Sequence, residues 1–295
     1  MRASLKKCVL ALLIAALLTT TLLAPAAAYE SSLAQYPDKT VEGKYVEVDV
    51  ESSEIFYSEI LGMIREGGTV RISLVLKNFS PDVKNRRSVL NFTTELESCV
   101  WGLGEENGVS VLNKTERSMR LRVDHGLVSS LTVTLNGKAP AVSKREVVTL
   151  LNVKQEIGSA YPVIEIWGNV TSELIESAIL KLNEALESIE TANATLQNAT
   201  QLGADVGDAK ADLDHARLYY EDALSHYTAG RTNESIAAAE NATYYANLAK
   251  KGAEAGLEAI SARAKRKIYG VVGAVVAVVA VAVILLMRRS RPPLG

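Results

Sequence analysis

The chain is poor in cysteine, histidine, proline and aromatic residues, and each shortage closes off a class of explanation. Of its two cysteines, Cys8 precedes an N-terminal apolar run and only Cys99 lies in the polar body. No intramolecular disulfide can therefore hold that body together, and ordinary hydrophobic cores must do so. Cys99 is expected to be a small buried apolar residue beside Trp101, with an intermolecular bridge as the sharper alternative. Three histidines are present. His215 and His226 are eleven apart, which on a helix means about 16 Å, too far to ligate one ion. Asp205, Asp208, Asp212 and Asp214 form an acidic helix start that complements the macrodipole. They lack the loop glycine and glutamate of an EF-hand. No G-x-S-x-G, H-E-x-x-H, phosphate loop or dinucleotide fingerprint occurs. The reading is of a protein that is not an enzyme, with no catalytic, metal or cofactor-binding residues to name; an extracellular hydrolase is the least favoured alternative.

What is present is an apolar segment at each end. Arg2, Lys6 and Lys7 precede the apolar residues 9–23, and Ala26-Ala27-Ala28 follows. That is the three-part grammar of a secretory signal, expected to end at residue 28, with an uncleaved signal anchor as the alternative. Residues 269–287 are a run of Gly, Ala, Val, Ile, Leu and Met after one Tyr. As a helix they would extend roughly 28 Å, the thickness of a hydrocarbon core. The expectation is a transmembrane helix at 269–287 with a lipid bilayer as its partner, a cytoplasmic tail at 288–295, and the rest outside a cell membrane. Lys265, Arg266 and Lys267 nearly balance Arg288, Arg289 and Arg291, so the signal and not charge sets the orientation. Gly270, Gly273, Ala274 and Ala277 would allow two such helices to approach, which makes a homo-oligomer an option.

The formal net charge is −2. Setting aside the six cations at Arg2, Lys6, Lys7, Arg288, Arg289 and Arg291, in segments with no acid, leaves −8 for the portion between. An acidic exterior argues against a nucleic-acid partner. Eight of the fourteen asparagines head N-x-Ser/Thr sequons, against about two for random placement. Glycosylation candidates are Asn78, Asn91, Asn113, Asn169, Asn193, Asn198, Asn233 and Asn241, with Pro81 making Asn78 the poorest.

Residues 29–168 read as strands. Val46, Val48 and Val50 alternate with polar residues, as do Val70, Ile72, Leu74 and Leu76, then Met119, Leu121 and Val123, then Leu131, Val133 and Leu135, and the stretch from Val147 to Val153. Asn136-Gly137 has the chemistry of a hairpin turn. Roughly seven to nine short strands at this spacing predict an all-β, immunoglobulin-like sandwich. Residues 55–64 are ambiguous and could form a short helix.

Residues 169–268 shift to Ala, Leu, Glu and Asn with a 3.6-residue period. Three antiparallel helices are expected, carrying apolar faces through Leu174 and Leu196, Ala209 and Tyr227, and Ile236 and Ala264. They form either a compact bundle, with a hinge at Gly252 or Gly256, or a coiled-coil stalk of which residues 233–268 alone would reach roughly 54 Å. Around the second turn, Ala223, Tyr227, Gly230, Ser235, Ile236, Ala239 and Ala242 resemble the helix-turn-helix of a tetratricopeptide repeat. One unit cannot bury the continuous core that repeats share.

The order of signal, sandwich, Ala-rich helices and bare C-terminal anchor looks like that of surface proteins found in archaea, although Ile268-Tyr269-Gly270 does not match the sorting motif that some of them carry. The resemblance implies a single-pass, N-glycosylated surface protein that binds an unknown protein or glycan partner or plays a structural role. An accessory subunit of a membrane complex such as a transporter is the alternative.

Overall fold

The computed structural model describes residues 27–83, 86–104 and 107–289. Side chains at 27, 264, 267–275, 277 and 282–289 are outside that description. The expected signal peptide and tail lie almost wholly beyond it. The chain divides into two compact units at residues 175 and 176.

The described residues of the first unit form thirteen strands. They are β1 (Ala27–Ser32), β2 (Lys39–Val41), β3 (Glu47–Val48), β4 (Glu54–Ile60), β5 (Met63–Arg65), β6 (Thr69–Lys77), β7 (Arg87–Thr93), β8 (Glu97–Leu103), β9 (Val109–Lys114), β10 (Ser118–Asp124), β11 (Ser130–Lys138), β12 (Glu146–Ile157) and β13 (Ser159–Thr171). Hydrogen bonding runs unbroken in the order β8-β11-β6-β4-β5-β13-β12-β7-β10-β9, with β1 on β4, β2 on β13 and β3 on β6. Only β5 and β13 pair in parallel. This corrects the expected immunoglobulin-like sandwich. The strands belong to one large, curled, mixed sheet that wraps around its own core like a half-barrel.

The join is made by the segment whose sequence was ambiguous. Residues 55–64 are not a helix but most of the β4–β5 hairpin, turning through Leu61 at φ 50° and Gly62 at φ 77°. Positive φ at both turn residues suits the right-handed twist of the flanking strands. β5 then pairs with β4 on one side and β13 on the other. Two-residue alternation reveals which face of a strand is buried, but carries no record of its neighbour.

Asn136 and Gly137 are also corrected, since both lie inside β11 and pair with Arg71 and Val70. The register of β11 against β8 slips there. A Cβ on Gly137 would stand 2.8 Å from Cys99 Sγ. The glycine is therefore needed for close approach at a bulge, a different use from a turn. Inside the curl, Leu74, Leu76, Leu90, Phe92, Met119, Leu121 and Leu131 are fully buried, each stabilising by roughly 1.5–3 kcal/mol.

The second unit holds α1 (Glu173–Gln201), which begins at the end of the first, α2 (Gly207–Thr228) and α3 (Thr232–Arg289). Ser172 Oγ accepts the Ile175 N–H at 3.4 Å ahead of α1. Buried residues recur three and four apart, at Leu182, Ala185, Ile189 and Ala192 on α1 and at Ala239, Ala242, Ala246, Ala249 and Ala253 on α3. That is the heptad spacing of helices meeting along a seam. Leucine and isoleucine from α1 and Leu213 from α2 fill space between alanines, and the backbones of α2 and α3 run closest. Helix α3 passes through Gly252 and Gly256 without a break. Cβ atoms there would meet Ala209 Cβ at 3.1 Å and the Asp205 carbonyl at 3.1 Å, so these glycines are close-packing positions and not a hinge.

The expected transmembrane helix requires a further correction. Among the described residues no helix is long and apolar enough to cross a membrane. Most side chains of 269–287 lie outside the description, and the described side chains of α3 supply no unbroken apolar stretch of the length a bilayer requires. The single-pass anchor and its lipid partner are not retained.

Candidate functional site

The chain leaves the sheet at Thr171, the last residue of β13. The connections from β6 to β7, β8 to β9, β10 to β11 and β12 to β13 all turn at the other end of the strands. At that end, alternation on β7, β10 and β12 sends Ser88, Val123 and Gln155 inward and Arg87, Val89, Arg120, Arg122, Asp124, Lys154 and Glu156 outward. Pairing sets Arg87 beside Asp124, and Val89 between Arg122 and Glu156.

Two ion pairs fix this outer face. Arg87 Nε donates to Asp124 Oδ2 at 3.2 Å, and Arg120 Nη2 to Glu156 Oε2 at 2.8 Å. The Gly126 N–H, bonded to the other Asp124 oxygen, and then Arg87 hold the Asp124 carboxyl below the usual carboxylate range. Arg122 lies between the two pairs, and its side chain has no hydrogen bond or ion pair with any described residue. It lines two adjoining furrows. One, of about 270 Å³, has Val89, Glu156 and Gly158 in its walls; the other, of about 300 Å³, has Ser110, Asp124 and Leu127. Arg87 is common to both. A fourth guanidinium, Arg86, extends from a residue at φ 51°. Its N–H donates to the Val83 carbonyl at 2.8 Å, and its carbonyl accepts the His125 N–H at 2.7 Å. Left-handed backbone at a bulky residue costs about 1–3 kcal/mol and persists where surroundings enforce it. Four arginines against two carboxylates make a local cationic excess on an acidic chain.

Beneath this face lies a buried polar network. The Ser88 hydroxyl donates to His125 Nε2 at 2.7 Å, His125 Nδ1–H to the Ser80 carbonyl at 2.7 Å, and Gln155 Nε2 to Ser88 Oγ at 3.0 Å. These roles follow from giving the Ser88 hydroxyl and both His125 ring nitrogens complementary partners; Gln155 Oε1 is buried with no partner among the described residues. A serine on a histidine nitrogen is the beginning of a nucleophile. Here Ser88 is 3 % exposed and both of its hydrogen-bonding roles are used internally. The network braces β7 and β12 against the turns at 80 and 125. At the same end Lys44 Nζ stands over the rings of Tyr45 and Tyr161, 5.2 and 4.6 Å from their centres.

The eight sequon asparagines are dispersed. Asn78, Asn113, Asn169, Asn198, Asn233 and Asn241 are exposed, while Asn91 and Asn193 are half-buried. None is in a core, as a glycan's volume requires. Asn78 Nδ2 donates to Glu47 Oε2, and Asn193 Oδ1 accepts from Arg217 Nη2 at 3.0 Å. His215 lies against the Tyr245 ring, and His226 Nδ1 is buried with no partner among the described residues. Asp214 pairs with Arg217 at 3.5 Å, and no described cluster of three His, Cys, Asp or Glu could hold a metal. Cys99 is half-buried, with burial pushing its thiol up to about 11.

Sequence reasoning missed the arginine face and the His125 network. The signal for the first was Met119-Arg120-Leu121-Arg122-Val123-Asp124, whose charges occupy one side of a strand. For the second there was none, because its hydrogen-bonded partners are 30 to 67 positions apart. Compared with known proteins, the chain matches no family model and no curated protein.

Proposed function

We propose that this is an exported, N-glycosylated protein with a non-catalytic binding role. Its ligand surface is the turn-rich end of the curled sheet with the adjoining outer face of β9, β10, β7 and β12. The helical unit acts as a spacer or assembly interface. The observation carrying this reading is Arg122, an unpaired guanidinium set between two furrows at the end of the sheet remote from the chain's exit. Convergent polar groups in a concave surface are the usual mark of a recognition site. The surface placement of the sequons supports an exported address.

The test is binding of purified full-length protein to cell-envelope preparations from its host, with variants on both units. Charge and ring removal at the turn-rich end, R87A/R122A and K44A/Y45A, is expected to reduce binding severely. Substitution of the exposed helical residues Leu218 and Tyr244 by alanine is expected to leave it unchanged. Binding that follows the helical variants and ignores the sheet variants would overturn the assignment of the surface.

A further inference from the structure

We propose that Arg122 anchors a site for an acidic saccharide, a sugar unit with one carboxylate among neutral hydroxyls. The inference rests on the reading of the outer face as the binding surface and specifies its ligand. Arg122 offers a planar fork of donors that matches a carboxylate, and no described side chain occupies it. Arg87 and Arg120 are already committed to Asp124 and Glu156. Of the two arginines that line the furrows, Arg87 is paired and Arg122 is not, so the unsatisfied demand there is for about one anionic group. The two engaged carboxylates keep free lone pairs at the furrow edges, where they can accept from hydroxyls.

The same carboxylates exclude the main competitor. An acidic peptide with several adjacent charges would meet Asp124 in one furrow, Glu156 in the other, and an acidic exterior beyond. At about 270 and 300 Å³ the furrows lie at or below the small end of ligand-pocket sizes, suited to single rings more than to a folded partner. Val89 and Leu127 supply apolar contacts for the C–H face of a sugar. Asn91 follows Val89 by two positions on the same outward side of β7, so a glycan on Asn91 would overhang the first furrow.

The experiment is titration of full-length protein with D-glucuronate, D-glucose, acetate and inorganic phosphate, followed by saturation-transfer NMR and calorimetry. Glucuronate is expected to bind in the millimolar range and to weaken with added salt, with glucose, acetate and phosphate each about tenfold weaker or worse. R122A should lose about tenfold and R122K less, because lysine keeps the charge but not the fork. N91Q should bind at least as well as the parent. Circular dichroism identical to the parent's would show R122A folded, and R87A provides a second cationic variant should it not be. Acetate or phosphate binding as tightly as glucuronate would reduce the site to one for simple anions and overturn the saccharide. Equal binding of glucose, or unchanged binding by R122A, would overturn the role of Arg122. Envelope binding undiminished by R122A would reject this site and leave the broader binding role standing; glucuronate binding by a protein that ignores envelopes would do the reverse.

Discussion

Three tyrosines near the start of the described chain show how one residue type acquires a pH dependence by position. The Tyr29 and Tyr57 rings stack at 4.8 Å, and Tyr36 meets both edge-on while its hydroxyl donates to the Trp167 carbonyl at 2.7 Å. Burial, then the Glu59 carboxylate, pushes the Tyr57 phenol up to about 12, and burial raises Tyr36 as well. A group whose proton is held more tightly in the folded state contributes stability that is complete below its unfolded pKa, near 10. That stability is lost as pH rises through the folded value. The urea midpoint of the sheet unit should therefore fall between pH 8 and pH 11. Y36F/Y57F should start lower, having lost the Trp167 bond, but fall less; an equal fall in both proteins would refute the coupling. Gly137 makes a second case. G137A should cost about 1–3 kcal/mol, because a methyl must displace Cys99 or Leu96 at 3.1 Å. G62A, in open space at φ 77°, should cost only about 1 kcal/mol through backbone strain. Denaturant unfolding of the two variants would show a reversed order if Gly137 were merely a turn residue.

At the scale of elements, the helices were legible and the strand partners were not, for a physical reason. A helix satisfies its backbone within itself, so Leu182, Ala185, Ile189 and Ala192 declare both the element and its buried side. Its ends are local too. After α2, the Gly230 N–H bonds the Tyr227 carbonyl at 3.0 Å and the Arg231 N–H that of His226 at 2.9 Å, with Gly230 at φ 73°, a Schellman turn carried by one glycine. A strand satisfies its backbone with a partner that can come from anywhere in the chain. Val170 meets Ile64 in parallel and Glu146 in antiparallel pairing, and nothing near Val170 in sequence names either. The arginine face inherited that difficulty, since Arg87, Arg122 and Glu156 meet only through register. Ser235 Oγ donates to the Ala223 carbonyl at 2.8 Å, a bond wholly buried between α2 and α3. S235A should therefore cost about 1 kcal/mol and G230A a similar amount by a different route, the bond in one case and strain in the other. Their effects should add within a few tenths of a kcal/mol if the turn and the bond are separate devices. Strong non-additivity in thermal unfolding would mean they form one unit.

At the scale of the whole molecule, the two units are built on different packing. The sheet unit has a core of Leu, Ile, Val and Phe side chains inside a curl, and the helical unit has alanine seams with a few large residues between them. Alanine buries little apolar surface, so the helical unit gains less per buried residue from transfer out of water and relies more on helix propensity and close backbone approach. Its stability should accordingly be the lower of the two. Trp101 and Trp167 are the chain's only tryptophans and both lie in the sheet unit. Tryptophan emission therefore follows the sheet, while circular dichroism at 222 nm is dominated by the helices. Urea titration of the full chain should give two midpoints, with the dichroism change at lower denaturant and the fluorescence change at higher. S235A should move only the first and G137A only the second. Coincident transitions, shifted together by either substitution, would show the two cores to be one cooperative body and would remove the basis for treating the helices as a separate spacer.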